Sequence, residues 1–344
     1  MKIAIICPSK DMTCGIGDYS RSLAEAMKDK AEVIYANDIN EKVLEFKPEV
    51  LNLQWEYGLY DGASITTLLN IIRRKGIHTS VTLHGWSDYD SKNKIIENLF
   101  DSYVVLNQGF KQHLVKRGIK KPIHVIPMGV HEYEFNKNDS VLVRDLLGLG
   151  EKELVVGAFG FLELYKNYHT IIDALVQFSG ITFLLCSYSK DPNSGYAVEL
   201  QQRASRLGVK YKHLSSYMSM DTVAKVLHAC DALVYPYVDV FTYSSSAAIR
   251  TGISSLAPVI ASDITFFNDV PDVSEGGPVY KARNGLVEAI TKVLTDESIK
   301  KSLVENAQVF TKENNWNKIA DLYIRAIASD ITFFEDVPDI SSSE

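Results

Sequence analysis

Short apolar runs alternate along this chain with longer segments whose apolar residues recur at helical spacing. KIAIIC (2–7), AEVIYA (31–36), EVLNLQ (49–54), TSVTLH (79–84), SYVVLN (102–107) and IHVIPM (123–128) are the runs of the first part. They have the length and composition of buried strands. Between the first two lies CGIGDYSRSLAEAM (14–27), where Tyr19, Leu23 and Met27 repeat every four residues and predict a helix. A break falls near LLGLGEKE (146–153), after which ELVVGAFGF, ITFLLCSYS, VKYKHLSS, ALVYPY and APVIASD restart the alternation. Strands alternating with helices mean parallel sheets covered on both faces. The expectation is therefore α/β, with two Rossmann-like domains facing each other across a cleft. Their bounds are 1–148 and 149–314, with a helix at about 315–328 rejoining the first domain and a tail at 329–344.

In open parallel sheets ligands collect at the carboxyl ends of strands, and the polar residues of this chain stand there. Gln54 and Glu56 follow VLNL, His84 follows VTL, Asn107 follows VVL, and Lys166 sits between a strand and a helix. His84, followed by Gly85, either lines a ligand or satisfies loop carbonyls. Gly15 and Gly17 form a glycine turn after the first strand, without the third glycine of a dinucleotide fingerprint, so no NAD site is read there. The stretch from Tyr235 to Asp263 reads as strand, polar loop, helix and strand. Its Ser244, Ser245 and Ser246 lead into a helix whose first turn offers free N–H groups, a seat for phosphate to which Arg250 would add a charge. N-capping is the ordinary role of serines at such a place. Asp88-Tyr-Asp90 spells a metal-binding DxD pattern, but a solvated helix start explains it, and no metal is assigned.

Composition narrows the class. The chain has 344 residues, 46% hydrophobic and 23% charged, enough for two globular cores. A net charge of −7 weighs against a protein that holds nucleic acid mainly by its phosphates. Cys7, Cys14, Cys186 and Cys230 show no metal-ligand spacing and read as reduced, mostly buried thiols. With no run near the ~18 apolar residues of a membrane span, the expected location is cytoplasmic, and any membrane contact peripheral. One oddity remains: IASDITFFNDVPDVS (260–274) recurs as IASDITFFEDVPDIS (327–341), differing at two positions. A tail of that kind could compete with the first copy for its docking groove.

Taken together, CGIGDYSRSLAEAM, HVIPMGVHEYEF, GFLELYKN and LHACDALVYPY…APVIASD resemble, in order and spacing, the segments of glycosyltransferase family four, retaining enzymes of the GT-B fold. The resemblance spans nearly the whole chain. It implies that His84 lines the sugar site, that the glycine loop nears the leaving group, and that Lys166 grips the diphosphate of a nucleotide-sugar donor. It further implies retention of configuration and no obligatory metal or other cofactor. Gln54, Glu56 and Asn107 join His84 on the acceptor or sugar side; Gly15, Gly17, Ser244, Ser245, Ser246 and Arg250 join Lys166 on the donor side. The chain departs from the family pattern in having Phe161 where an arginine stands, and Tyr243 and Thr251 at the places of two glutamates. Three functions follow: a glycoconjugate or polysaccharide transferase, a phage-type nucleic-acid base glycosyltransferase, and an inactive GT-B partner subunit. The transferase account requires Ser244 to Ser246 and Lys166 to share a pocket.

Overall fold

A computed structural model describes residues 1–9, 14–136, 138–188, 195–239 and 243–335. The chain divides into two compact units. The first comprises Met1–Gly129, a short piece around Ser244, and everything from Asn314 on; the second comprises the rest.

The first unit holds β1 (Lys2–Ile6), β2 (Glu32–Ala36), β3 (Val50–Trp55), β4 (His78–Leu83), β5 (Ser102–Val105) and β6 (Ile123–Val125). They form one sheet in the order β2-β1-β3-β4-β5-β6, with every pairing parallel. Residues of β3 and β4 are buried on both faces, as a doubly covered sheet demands. One face packs around Leu53, Trp55, Leu83 and Phe110. The other is covered by the helices Gly15–Met27 and Trp316–Glu335, through Tyr19, Leu23, Ile319, Tyr323 and Ile327.

The second unit repeats the plan with β7 (Leu154–Phe159), β8 (Ile181–Cys186), β9 (Lys210–Leu214), β10 (Ala232–Tyr235), β11 (Val259–Ala261) and β12 (Val279–Lys281), in the order β12-β11-β10-β7-β8-β9. Strand β12 was not foreseen, because three residues give too little periodicity to be seen.

Two expected boundaries move. Residues 130–148, assigned from sequence to the first domain, belong to the second unit. Val143 and Leu147 pack on its core, and Arg144 pairs with Asp231 at 2.9 Å. The C-terminal helix was expected to end near residue 328, but it continues to Glu335. Its later turns are held by Asp330, which is buried and accepts from His124 Nε2 at 2.8 Å. The first half of the duplicated segment is therefore helix in its second copy, not a loose tail; residues 336–344 lie outside the described residues.

Candidate functional site

Lys166 ends the short 3₁₀ turn Leu164–Lys166 that follows β7, and its side chain folds inward until 4% remains exposed. Gly160, with φ of +134°, makes the room: a Cβ there would collide with Lys166 Nζ and lie 3.2 Å from both Ala248 Cβ and Tyr168 Oη. The rings of Tyr237, Phe161 and Tyr165 stand 5.3, 5.9 and 6.0 Å from the nitrogen. Aromatic faces attract a cation but cannot accept its hydrogens as carbonyls do. No hydrogen-bond acceptor meets Nζ among the described residues. Burial accordingly pulls its pKa down to about 7, against a smaller upward pull from Glu163. Lys281, the other buried lysine among the described residues of this unit, differs in that its ammonium donates to the Phe267 carbonyl at 2.7 Å.

Ala248, which borders the same space, belongs to the first turn of the helix Ala247–Ser254. Ser246 caps this helix, its hydroxyl accepting from Ile249 N at 3.4 Å, while the N–H groups of Ala247 and Ala248 meet no acceptor among the described residues. A buried ammonium and two free amides at the positive end of a helix are the elements of an anion seat.

The other expected donor-side groups fare differently. Arg250 is not an open cation: it is 2% exposed and paired with Asp269 at 2.6 Å, so its charge is spent inside the unit. The three serines do separate jobs. Ser246 caps the helix, Ser244 packs with the first unit and donates to the His84 carbonyl at 2.6 Å, and Ser245 is buried between them in sequence. Ser246 caps the helix whose Ala248 borders the Gly160 niche together with Lys166, whereas Ser244 belongs to the first unit. Gly15 and Gly17 open the helix Gly15–Met27; a Cβ at Gly15 would touch nothing, and one at Gly17 would crowd Arg21. Neither has the positive φ of a strained turn. At the positions where the resemblance loses its glutamates, Tyr243 stacks on His113 at 4.2 Å, and Thr251 donates to the carbonyl of Ala247.

In the first unit the polar strand ends converge on His84. Its Nε2 lies 2.9 Å from Gln54 Oε1, and its ring meets Tyr19 edge-on at 4.7 Å. Burial drives its pKa down to about 3, so the imidazole is neutral at pH 7. Gln54, expected to touch a sugar, is fully buried and bonded to Asn52, Thr82 and His84. Glu56 caps the turn Tyr57–Leu59 through Gly58 N at 2.7 Å. Asn107 caps the helix Gln108–Lys116, and its amide holds the Ser244 carbonyl at 3.2 Å. Of the acceptor-side set, His84 alone keeps a nitrogen, Nδ1, without a partner among the described residues. The DxD carboxylates are also engaged: Asp88 takes the Trp86 indole N–H and Arg117, and Asp90 takes Lys92 N. Among the described residues no group of three or more His, Cys, Asp and Glu is arranged to hold a metal ion, and no helix is long and apolar enough to cross a membrane.

Sequence reasoning read the free N–H groups of the helix after Ser246 but passed over Gly160 and Tyr237. Gly160 was legible as a glycine directly after a strand; Tyr237 meets Lys166 only through folding. A cavity of about 480 Å³ opens elsewhere, at the ends of β10 and β11, lined by Asn167, Thr170, Ser262, Asp263 and Arg283. None of the expected site residues lines it.

No protein-family model matches the chain. Solved structures do. HepE from Anabaena, in complex with UDP and glucose, superposes with a TM-score of 0.76 at 17% identity, covering 96% of this chain and 100% of HepE. A glycosyltransferase from Rickettsia africae gives 0.76 at 12% identity, covering 96% and 98%. Sucrose-phosphate synthase from Thermosynechococcus elongatus gives 0.70 at 17%, covering 96% and 100%. The two doubly wound units of this chain are thus those of the GT-B fold.

Proposed function

We propose that this chain is a glycosyltransferase that takes its sugar from a nucleotide-diphosphate donor bound by the second unit. The observation that carries the reading is the Lys166 ammonium, buried without an acceptor among the described residues, beside the free amides that open the Ala247–Ser254 helix. Buried charge is tolerated where it will be paired, and a diphosphate supplies the pair. In the transfer the bond between the anomeric carbon and the phosphate oxygen breaks and its electron pair stays on the diphosphate. Lys166 and the two amides stabilise that growing charge from fixed positions, the electrostatic contribution that is commonly the largest in catalysis. An acceptor hydroxyl forms the new bond to the anomeric carbon and passes its proton to the departing diphosphate oxygen. By the family resemblance His84 stands on the sugar side, and its neutral ring offers Nδ1 as an acceptor for a sugar hydroxyl; a group with a pKa of about 3 is a poor general base at pH 7. Following the family resemblance, the configuration is retained and no metal is obligatory. The complexes of HepE with UDP and with UDP-glucose support UDP as the first nucleotide to try.

The test is a thermal-shift panel of nucleoside diphosphates and nucleotide-sugars on wild type and Lys166→Ala. At least one nucleotide raises the wild-type midpoint, and the variant loses most of that rise. If no nucleotide stabilises the wild type, the chain is a GT-B partner subunit and not a transferase. If the variant responds as wild type does, Lys166 is not the diphosphate ligand.

A further inference from the structure

The first unit contains a buried polar ladder that the transfer reaction as described does not use. Asn52 and Gln54 on β3 point to the same face as Ser80 and Thr82 on β4, because side chains two residues apart share a face and the strands are in parallel register. Gln54 Nε2 donates to Asn52 Oδ1 at 2.5 Å, Thr82 Oγ1 donates to the same oxygen at 3.1 Å, and Asn52 Nδ2 donates to Ser80 Oγ at 3.2 Å. Thr82 has then given away its hydrogen. Tyr323 of the C-terminal helix must donate to it across 3.1 Å, and Tyr19 to Tyr323 across 2.7 Å. With its N–H groups turned toward Asn52 and Thr82, Gln54 presents its carbonyl oxygen to His84. A carbonyl accepts only, so in this orientation His84 Nε2 carries the ring proton and Nδ1 the lone pair. Turning over the Gln54 amide alone would press two oxygens together at the Asn52 contact. The two amides reverse together or not at all.

We propose that Gln54 is a positioning residue: held by Asn52, it fixes His84 as the Nε2–H tautomer and so leaves Nδ1 as the acceptor for a substrate hydroxyl. Gln54 is fully buried and acts only through the histidine. The inference deepens the transferase reading and rests on it for its catalytic meaning, but the tautomer is a property of the free protein.

The experiment is long-range ¹H–¹⁵N NMR of the full, uniformly ¹⁵N-labelled chain, with the His84 signals identified by their absence in His84→Gln. Wild type shows a protonated Nε2 and an unprotonated Nδ1 at pH 7; in Gln54→Leu the two nitrogen shifts move toward each other as the tautomers mix. A wild-type ring protonated on Nδ1, or already mixed, overturns the proposal without any variant having to fold. With UDP-glucose as donor and water as acceptor, Gln54→Leu lowers the kcat of UDP release about tenfold or more while KM stays within about threefold, the pattern of an interaction felt in the transition state. An unchanged kcat in a folded Gln54→Leu overturns the catalytic role. Failure of wild type to bind any nucleotide strikes the transferase reading instead and leaves the tautomer result standing.

Discussion

Burial pushes two side chains of this protein toward their neutral forms. Lys166 has no protein acceptor among the described residues and a pKa of about 7, so it is only half charged at neutral pH until an anion reaches it. Above pH 7 binding of a diphosphate must take up a proton. Affinity for UDP should therefore fall as pH rises from 7 to 9, toward about tenfold per unit, by linkage. Isothermal titration across that range checks it, and flat affinity means the ammonium is not the ligand. His84 works in the other direction. Its folded pKa of about 3 lies below its ordinary value of 6.5. Between those values the unfolded chain binds the proton and the folded chain does not. The ring's contribution to stability is complete above pH 6.5 and declines as pH falls toward 3, by at most about 1.4 kcal/mol per unit. His78, His113 and His213 are shifted down by burial too and act in the same direction. The urea midpoint should drop between pH 7 and 4.5, and drop less in His84→Gln.

At the level of elements, close approach decides more than propensity. Gly252 lies over the ring of Tyr235, and a Cβ there would stand 2.9 Å from Cε2 and Cζ and nearer still to the hydroxyl. That hydroxyl is buried without a partner among the described residues. Gly252→Ala should cost about 1–3 kcal/mol by overpacking, although alanine favours a helix. Tyr235→Phe should be neutral or stabilising and should recover part of the loss, because it removes both the nearest clash and an unsatisfied polar atom. A double-mutant cycle by urea denaturation measures the coupling; strict additivity would refute the contact. The duplicated octapeptide IASDITFF makes the same point. At 260–267 it is the end of β11 and a 3₁₀ turn, preceded by Pro258 and paired with β10 and β12. At 327–334 it is helix, because it continues a run in which Ile319, Tyr323 and Ile327 share one buried face.

For the whole molecule, the two cores are distinct and the chain returns to the first at Asn314. That return is anchored by Asp330, 3% exposed, against His124 at 2.8 Å and with His78 at 3.9 Å. Deleting residues 328–344 to test whether the second copy competes with the first would remove this anchor as well, and so destabilise the first unit for an unrelated reason. Asp330→Asn is the cleaner probe. It should lower the stability of the first unit by about 1–3 kcal/mol and leave the second unchanged, read by hydrogen exchange in each. Equal loss in both units would show that they do not unfold independently.

Local pattern determined the α/β class, eleven of the strands and the strand-end positions of His84 and Lys166, because strand burial and helical period are written within a few residues of each other. Folding decided what each polar group does there. Arg250 and Asp269 are 19 residues apart, Gln54 and His84 30, and Ser244 and the His84 carbonyl 160. A cation with a buried partner and one without look alike in the sequence, since charge is a property of the residue while its neutralisation belongs to the neighbours that the chain brings from a distance.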